Sequence, residues 1–196
     1  MGTAKSDLVL GGRRLIEIAA DTLRSVFDSR VAAVGVRSAQ PYPCRLIADA
    51  RPDGLGDDVA GPLVGLYTAL ADSQDEWIAV LACDLPFVTA ALFELLTSID
   101  SAFYDAVVPV QPDGWPQPLC ALYRRETCLV AAESLLKQGA ASVQALVKAV
   151  NTRLVPFDEF KSLPDSGRFF LNLNTPEEFR KAEAALRTTR TTTETS

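Results

Sequence analysis

Residues 77–87 read WIAVLACDLPF, and this stretch decides the fold class. Its first seven residues are apolar without interruption, which is typical of a β-strand buried on both faces of a parallel sheet. The run ends at one carboxylate, Asp84, and Pro86 follows two residues later. In sheets of this kind, ligands bind beyond the carboxyl ends of the strands. The stretch therefore predicts an α/β fold with a polar site that begins at Asp84.

On either side of this strand, apolar runs alternate with helical patterns, which predicts a mostly parallel sheet between two layers of helices. Helical periodicity covers residues 13–28, 62–73, 89–99, 125–149 (as two helices) and 175–186. Short runs typical of strands cover residues 31–36, 45–49, 104–110, 118–124, 152–157 and 168–173. Polar side chains end three of the predicted strands: Asp49, Asp84, and the pair Asn172 and Asn174.

Composition limits the function classes. The chain has 196 residues, which fits one domain over residues 1–186, and the threonine-rich residues 187–196 are predicted to be a disordered tail. A net charge of -6 argues against a nucleic-acid or anionic-membrane partner. No apolar run is long enough to span a bilayer, and the start is unlike a signal peptide, so we expect a cytoplasmic protein. The four cysteines form no C-x-x-C pair and are predicted to be free thiols.

Histidine is absent from the sequence, and this restricts the possible chemistry. No Ser-His-Asp or Cys-His relay and no histidine metal site can be built. Carboxylates, lysine, arginine, amides, backbone N–H groups and a metal ion are what remain for catalysis. Phosphoryl and nucleotidyl transfer suit this set, because positioning and charge neutralisation dominate those reactions.

Two charged residues are candidates for such a site. Asp84 is placed to hold a magnesium ion shared with phosphate oxygens, and it could equally be a helix-capping or turn aspartate. Lys5 lies in the small-residue segment MGTAKSDL, where its ammonium could reach a triphosphate as a point charge. Taken alone, Lys5 is more simply a solvated terminal lysine.

Glycine and amide residues are weaker candidates. Gly61 and Pro62 open a helix after an acidic loop, so their backbone could face a ligand, although close packing of a turn glycine explains them as well. Gln117 could read a ligand with its amide or be a solvated loop residue. Asn172 and Asn174 share one face of a predicted strand, because strand side chains alternate, although Asn174 could simply shape the following turn.

Together these segments resemble the molybdenum cofactor guanylyltransferases, which are MobA-like NTP transferases. Six segments correspond in order to that family's motifs: MGTAK, GRRLIE, VAGPLVGLYTAL, ACDLPF, QPLCALYRR and FLNLNTPEEF. The agreement runs from Met1 to about Leu186.

The resemblance implies a Rossmann-like, three-layer nucleotidyltransferase that transfers GMP from GTP to molybdopterin cofactor with magnesium and releases pyrophosphate. It implies that Asp84 binds the metal and the phosphates and that Lys5 binds the triphosphate. Asp49, Gly61 and Pro62 would contact the nucleotide. The residues implied on the pterin side are Gln117, Asn172 and Asn174. Other proteins of molybdenum cofactor biosynthesis, or molybdoenzyme chaperones, would be further partners.

The sequence departs from the family at its start. Ala4 stands where the family has aspartate, the region around Val34 is more apolar, and the family's first strand and L-A-G-G-x-S-x-R loop have no counterpart. Gly11 and Gly12 do not replace that loop, because they follow Lys5, where the family has the turn into its first helix. Either the frame begins at an internal methionine or the protein is truncated; the first is favoured because a central strand is costly to lose.

Two other functions remain open at this point. One is cytidylyl transfer to the same cofactor, or another nucleotidyl transfer by the same fold. The other is a non-catalytic protein that binds the cofactor without the triphosphate loop.

Overall fold

The computed structural model describes residues 5–27, 30–35, 41–56, 59–173, 178–180 and 182–183. Its helices are α1 (Leu15–Arg24), α2 (Pro62–Asp72), α3 (Ala90–Ser98), α4 (Arg125–Lys137), α5 (Val143–Ala149) and α6 (Phe157–Phe160). Its strands are β1 (Val9–Leu10), β2 (Arg13–Arg14), β3 (Ala32–Val34), β4 (Arg45–Ile47), β5 (Trp77–Leu81), β6 (Ala106–Pro109), β7 (Cys120–Arg124) and β8 (Thr152–Val155). Short 3-10 helices cover Lys5–Asp7 and Ser166–Arg168.

The main sheet has four strands in the order β5-β7-β6-β8. Strand β7 is antiparallel to both β5 and β6, and β6 is parallel to β8. Three of the four strands therefore run in one direction, as the sequence predicted, and β7 is inserted between them in the opposite direction. This insertion places the start of β7 at the same edge of the sheet as the end of β5.

Strands β3 and β4 form a separate parallel pair. Among the described residues, no ladder joins this pair to β5. Helix α2 contacts β3, β4 and β5, so it bridges the division on one face. Among the described residues, the expected single sheet is thus in two hydrogen-bonded parts.

Two core clusters cover opposite faces of the main sheet, which gives the predicted three layers. Helices α2, α4 and α5 pack on the face that carries Val108 and Tyr123. Helix α3 and an aromatic group after β8 pack on the face that carries Val107 and Leu122. The faces alternate along β6 and β7 because successive strand side chains point to opposite sides. This pattern buries all four residues of β6.

The glycine pair near the start lies in a hairpin turn. Strands β1 and β2 are antiparallel, and Gly11 and Gly12 connect them with φ values of 60° and 88°. Positive φ at both central positions is what a tight two-residue hairpin turn requires, and glycine adopts it without steric cost. The hairpin leads directly into α1. The sequence-based assignment of these glycines to the turn before the first helix is therefore confirmed.

The predicted strand over residues 168–173 is wrong. Residues 166–168 form a 3-10 turn, and no strand is found among residues 169–173. Phe169 and Phe170 are instead buried beside Phe160 in an aromatic cluster. A short run of aromatic and apolar residues is compatible with either a strand or a buried turn. Packing of Phe169 and Phe170 against Phe160 of α6 selects the turn.

The end of the chain is only partly described. Residues 178–180 and 182–183 are helical, within the helix predicted over residues 175–186. The predicted cap at Thr175 and Pro176, the disordered tail over residues 187–196 and Asn174 lie outside the described residues. In the described part, no helix combines the length and apolar character that crossing a membrane requires.

Candidate active site

Asp84 lies where the sequence predicts, three residues beyond the end of β5. Its side chain is 22% exposed, and its Oδ2 atom is 3.4 Å from Nζ of Lys5. Its backbone carbonyl accepts a hydrogen bond of 3.2 Å from the N–H of Leu173. Segments that are far apart in sequence thus meet at this carboxylate: the start of the described chain, the end of β5 and the residues around Asn172.

A small apolar cluster holds these three segments together. Its buried members are Leu10, Leu15, Phe87, Leu173 and Ala182. The first two come from the hairpin and α1, the third follows Asp84, and the last two belong to the end of the chain. Burial of their side chains supplies the free energy that keeps Lys5 next to Asp84, because the ion pair itself is partly solvated.

The local structure of Lys5 is a 3-10 turn that is anchored on both sides. Ser6 is 3% exposed, and the Leu8 N–H donates to the Lys5 carbonyl at 3.1 Å. The Leu15 N–H then donates to the Leu8 carbonyl at 2.9 Å. The side chain of Lys5 is half-exposed.

Asn172 is exposed and directly precedes buried Leu173. The hydrogen bond from the Leu173 N–H to the Asp84 backbone carbonyl places Asn172 next in sequence to a residue that contacts Asp84. Asn172 is not on a strand. Asn174 lies outside the described residues, so the shared face of Asn172 and Asn174 stays a prediction. The predicted proximity of Asn172 to the end of β5 is nonetheless present.

Asp49 is exposed two residues beyond β4, at the corresponding end of the other strand pair. Its Oδ1 atom lies 3.7 Å from where a Cβ of Gly35 would be, so it faces the end of β3. The following residue is held by buried Thr68, whose Oγ1 accepts from the Ala50 N–H at 2.9 Å. Asp49 and Asp84 follow strands of the two different parts of the sheet.

Gly61, Pro62 and Gln117 line one cavity of about 450 Å³. Gln117 is half-buried and lies at the same sheet edge as Asp84, because the Ala82 N–H donates to the Leu119 carbonyl at 2.7 Å. Ser142 and Gln144, at the start of α5, also line the cavity. The structure thus brings a residue predicted to bind the pterin together with two predicted to bind the nucleotide.

The geometry of Gly61 favours the packing explanation that the sequence left open. Its φ is 148°, and a Cβ at this position would lie 2.9 Å from the carbonyl oxygen of Ala141. That carbonyl accepts a hydrogen bond of 3.2 Å from the Leu63 N–H at the start of α2. Close approach of two backbone segments therefore requires glycine here, whatever ligand the cavity takes.

The thiol beside Asp84 is not a candidate for ionic chemistry. Burial, reinforced by the negative charge of Asp84, raises the pKa of Cys83 to about 11. All four cysteines are free, as the sequence predicted. Among the described residues, no group of three or more Asp, Glu, Cys or His side chains converges on one point. The Asp84 carboxylate pairs with the ammonium of Lys5.

Comparison with known proteins identifies the family. The MobA-like NTP transferase domain matches residues 1–153. The chain belongs to the MobA-like NTP transferase family. It is therefore a nucleotidyltransferase, as the sequence resemblance implied.

MobA-like relatives match most of the chain. A molybdenum cofactor guanylyltransferase from Desulfosudis oleivorans is 30% identical over 195 residues, which cover 95% of this chain and 89% of the relative. A probable molybdenum cofactor guanylyltransferase from Halalkalibacterium halodurans is 37% identical over 120 residues, which cover 60% of this chain and 58% of the relative.

Solved structures show the same MobA-like fold. The molybdopterin-guanine dinucleotide biosynthesis protein A of Archaeoglobus fulgidus has a TM-score of 0.74 and 23% identity, covering 94% of this chain and 91% of that one. The 2-C-methyl-D-erythritol 4-phosphate cytidylyltransferase of Thermus thermophilus has a TM-score of 0.68 and 18% identity, covering 93% of both chains. At these identities the likeness concerns the nucleotidyltransferase fold alone.

Sequence reasoning missed three polar or aromatic side chains at this edge of the MobA-like domain. Ser142 and Gln144 line the cavity of Gln117, and the only signal in the sequence was the Ser before a short helical pattern. Trp115 is 67% exposed on the β6–β7 hairpin, two residues from Gln117. A turn holds it, in which the Gln111 N–H donates to the Trp115 carbonyl at 2.9 Å.

Proposed function

We propose that this chain transfers GMP from GTP to the terminal phosphate of molybdopterin cofactor, with Mg²⁺, and releases pyrophosphate. The observation that carries the proposal is the approach of Lys5 Nζ to 3.4 Å from Asp84 Oδ2, across 79 positions of sequence. The names of the guanylyltransferase relatives support the choice of acceptor and base.

The ion pair between Lys5 and Asp84 suits a ligand site better than a structural role. The two side chains are 52% and 22% exposed, and pairs this exposed contribute between 0 and about 1 kcal/mol to stability. A triphosphate would offer the ammonium several oxyanions in place of one carboxylate oxygen. Lys5 can therefore exchange its carboxylate partner for a phosphate without large loss of stability, and Asp84 is then available for a cation.

The donor set at Asp84 fits magnesium. Mg²⁺ takes oxygen ligands, keeps several waters and is usually bound through one or two carboxylates plus substrate phosphates. A partly exposed carboxylate beside a lysine meets this description, and no cage of protein ligands is required. When bound, the ion would neutralise charge on the phosphates as the bond to the α-phosphate changes.

No general base is needed from the chain. The acceptor is a phosphate, which is already an oxyanion at neutral pH, and the sequence contains no histidine that could serve as a base. The residues need only align the acceptor with the α-phosphate and stabilise the developing charge. Lys5 supplies the positive charge. Asn172 directly precedes Leu173, whose N–H binds the Asp84 carbonyl, so the exposed amide of Asn172 would meet a ligand at Asp84.

We assign the cavity at Gln117 to substrate recognition. It places the Gln117 side chain opposite the start of α2, at Gly61 and Pro62. Pterin and guanine both present amide-like edges that a glutamine can bind with one donor and one acceptor. Asp49 would contact the nucleotide from the β3–β4 side, where its exposed carboxylate can accept from ribose hydroxyls or a base amine.

The test is a direct comparison of GTP and CTP with molybdopterin cofactor as the acceptor. Pyrophosphate release and the dinucleotide product are measured at equal nucleotide and Mg²⁺ concentrations, with Asp84→Asn as the blank. We expect turnover with GTP and at least a tenfold lower kcat/KM with CTP. A preference for CTP would make the protein a cytidylyltransferase, and binding of the cofactor without turnover of either nucleotide would make it a non-catalytic binding protein; either result contradicts the proposal.

A further inference from the structure

The turn between β6 and β7 carries an exposed tryptophan. Trp115 is 67% exposed, although tryptophan side chains are on average mostly buried in folded proteins. The chain has two tryptophans, and the other, Trp77, has the guanidinium of Arg124 over its ring, 4.8 Å from the centroid. Trp115 therefore lacks the burial that a side chain of its size usually gains, which makes it a candidate contact for a ligand.

Hydrogen bonds order the turn around Trp115. The Gln111 N–H donates to the Trp115 carbonyl, and the Gly114 N–H donates to the Gln111 carbonyl, both at 2.9 Å. The Trp115 N–H in turn donates to Oδ1 of Asp113 at 3.2 Å. Because the backbone of Trp115 is already fixed on both sides, a ligand that binds its ring orders little further chain, and this favours affinity.

The side chains of Trp115 and Gln117 lie on one face of this turn. Pro116, between them, forms an antiparallel bridge with Val110. Hydrogen bonds flank this bridge on both sides, and one of them runs from the Gln117 N–H to the Pro109 carbonyl at 2.9 Å. Successive side chains of such an extended pair point to opposite faces. The indole and the amide are therefore on the same face, with their Cα atoms about 7 Å apart along the chain.

Gln117 connects this face to the cavity of about 450 Å³ that it lines. Ser142 and Gln144 line the same cavity, and Ser142 Oγ donates to Gln144 Oε1 at 2.8 Å. Among the residues that the structure describes, no aromatic side chain lines this cavity. Planar ligands are usually bound by a few polar atoms at their edge together with apolar or aromatic surface at their face. The cavity has the polar atoms, and Trp115 can supply the aromatic surface.

We propose that Trp115 stacks on the face of a fused heteroaromatic ring while Gln117 binds the amide-like edge of that ring. The inference rests on the proposed function, because the ring systems of its two substrates, guanine and pterin, share this chemistry. Both are planar and bicyclic, and both present a carbonyl beside an N–H, which match the one donor and one acceptor of a glutamine amide. A bicyclic ring covers more of an indole than cytosine does, so the contact selects against a single pyrimidine ring.

A protein partner is another class of ligand that an exposed tryptophan can bind. The position of the turn favours the heteroaromatic ring. It follows the end of β6, which is parallel to β5, so Trp115 lies at the edge of the sheet where Asp84 follows β5. Small ligands of α/β folds bind at this edge. The neighbouring Gln117 is half-buried in a cavity wall and not on an open surface.

The first experiment follows the indole signals of the full chain by NMR. Trp77→Phe assigns them, because it leaves Trp115 as the one tryptophan of the sequence. The probes are GTP, CTP and inorganic triphosphate, each with Mg²⁺, and a phosphorylated pterin. We expect GTP, the pterin or both to move the Trp115 signals upfield, since protons over an aromatic face are shielded. CTP should move them less, and inorganic triphosphate should leave them in place.

The same experiment separates the two sources of the ring. A shift with GTP alone assigns guanine to Trp115, and a shift with the pterin alone assigns the pterin. The signals of Trp77 are the internal control, because this residue begins β5, whereas Asp84 lies beyond the end of that strand. They should stay unchanged with every probe.

The second experiment separates stacking from apolar contact by two substitutions. Trp115→Phe keeps an aromatic face, and Trp115→Leu removes it while the side chain stays apolar. For the ligand that shifts Trp115, we expect Trp115→Leu to raise Kd roughly 5- to 100-fold and Trp115→Phe to raise it less than about fivefold. Trp77→Phe, the matched control, should leave Kd unchanged. Urea unfolding of both Trp115 variants should match wild type, because the side chain is exposed.

Three results would decide against the inference or against the function on which it rests. No Trp115 shift with either GTP or the pterin, or equal Kd for Trp115→Leu and wild type, overturns the inference even if GMP is transferred normally. A Trp115 signal that moves with protein concentration in the absence of ligand makes a second copy its partner and overturns it too. A ligand-dependent shift without turnover supports the inference and contradicts the proposed function instead.

Discussion

Replacement of Gly61 by alanine tests the link between local geometry and the candidate site. The added Cβ would lie 2.9 Å from the Ala141 carbonyl oxygen and 3.0 Å from the Ala141 Cβ, so one of the two backbone segments has to move. The φ of 148° and ψ of 172° belong to a region that only glycine adopts readily, which costs on the order of 1–3 kcal/mol for alanine. The shift also weakens the Leu63–Ala141 hydrogen bond, which contributes roughly 1 kcal/mol.

We therefore expect Gly61→Ala to lower the free energy of unfolding by about 2–4 kcal/mol. For a chain of this size, the corresponding loss in Tm is roughly 4–16 °C. Urea unfolding followed by circular dichroism measures the free energy directly. Because Gly61 and Ala141 both line the cavity of Gln117, we also expect the KM of the pterin substrate to rise in the folded variant.

Gly65→Ala is the matched control, since it makes the same substitution four residues later in α2. Here the added Cβ meets only Val34 Cγ1 at 3.9 Å, an ordinary contact. Alanine is the better helix former in a helix interior, so this variant should be more stable by about 0.5–1 kcal/mol. Equal stability of Gly61→Ala and wild type, or equal destabilisation by both substitutions, would refute the reasoning.

Three further predictions follow from the site, the thiols and the core. Asp84→Asn should lower kcat/KM by roughly a hundredfold or more at saturating Mg²⁺ while unfolding shifts by no more than about 1 kcal/mol; retained pyrophosphate release would remove this carboxylate from the site. Burial raises the pKa of Cys83 to about 11 and of Cys128 to about 12, so above about pH 9 only the unfolded chain ionises these thiols. Unfolding free energy should then fall with rising pH between about 9 and 11, by up to ~1.4 kcal/mol per unit for each thiol, and a flat profile of unfolding against pH contradicts this. Phe169→Ala removes a fully buried ring and should cost about 3–5 kcal/mol in urea unfolding, whereas Phe103→Ala, at 79% exposure, should change stability by less than about 0.5 kcal/mol; similar costs would show that the aromatic cluster is not core.

Much of the fold was predictable because its strands and helices have strong periodic signals. The run at β5 and the amphipathic pattern of α1 determine their own secondary structure through local burial. The two short helices α4 and α5 were separated correctly by the glycine turn near Gly139. The segment FFLNL was misassigned because its apolar residues are equally compatible with a strand, and only packing against Phe160 selects the turn.

The candidate site was predictable in part for a related reason. Asp84 and Asp49 follow strands, and the carboxyl ends of strands are where α/β folds bind ligands, so their approximate positions follow from topology. Ser142, Gln144 and Trp115 carried no comparable signal, because loop residues reach a site through the path of the backbone rather than through a periodic pattern.

The sequence by itself determined the layered α/β fold, the exclusion of histidine chemistry, the family resemblance and the turn at Gly11 and Gly12, since each depends on local patterns or on residue identity. Tertiary structure alone decided that Lys5 meets Asp84, that Gln117 shares a cavity with Gly61, and that β7 pairs with both β5 and β6. The physical reason is that these are contacts between segments many tens of residues apart. They form only when burial of apolar side chains such as Leu10 and Leu173 brings those segments together.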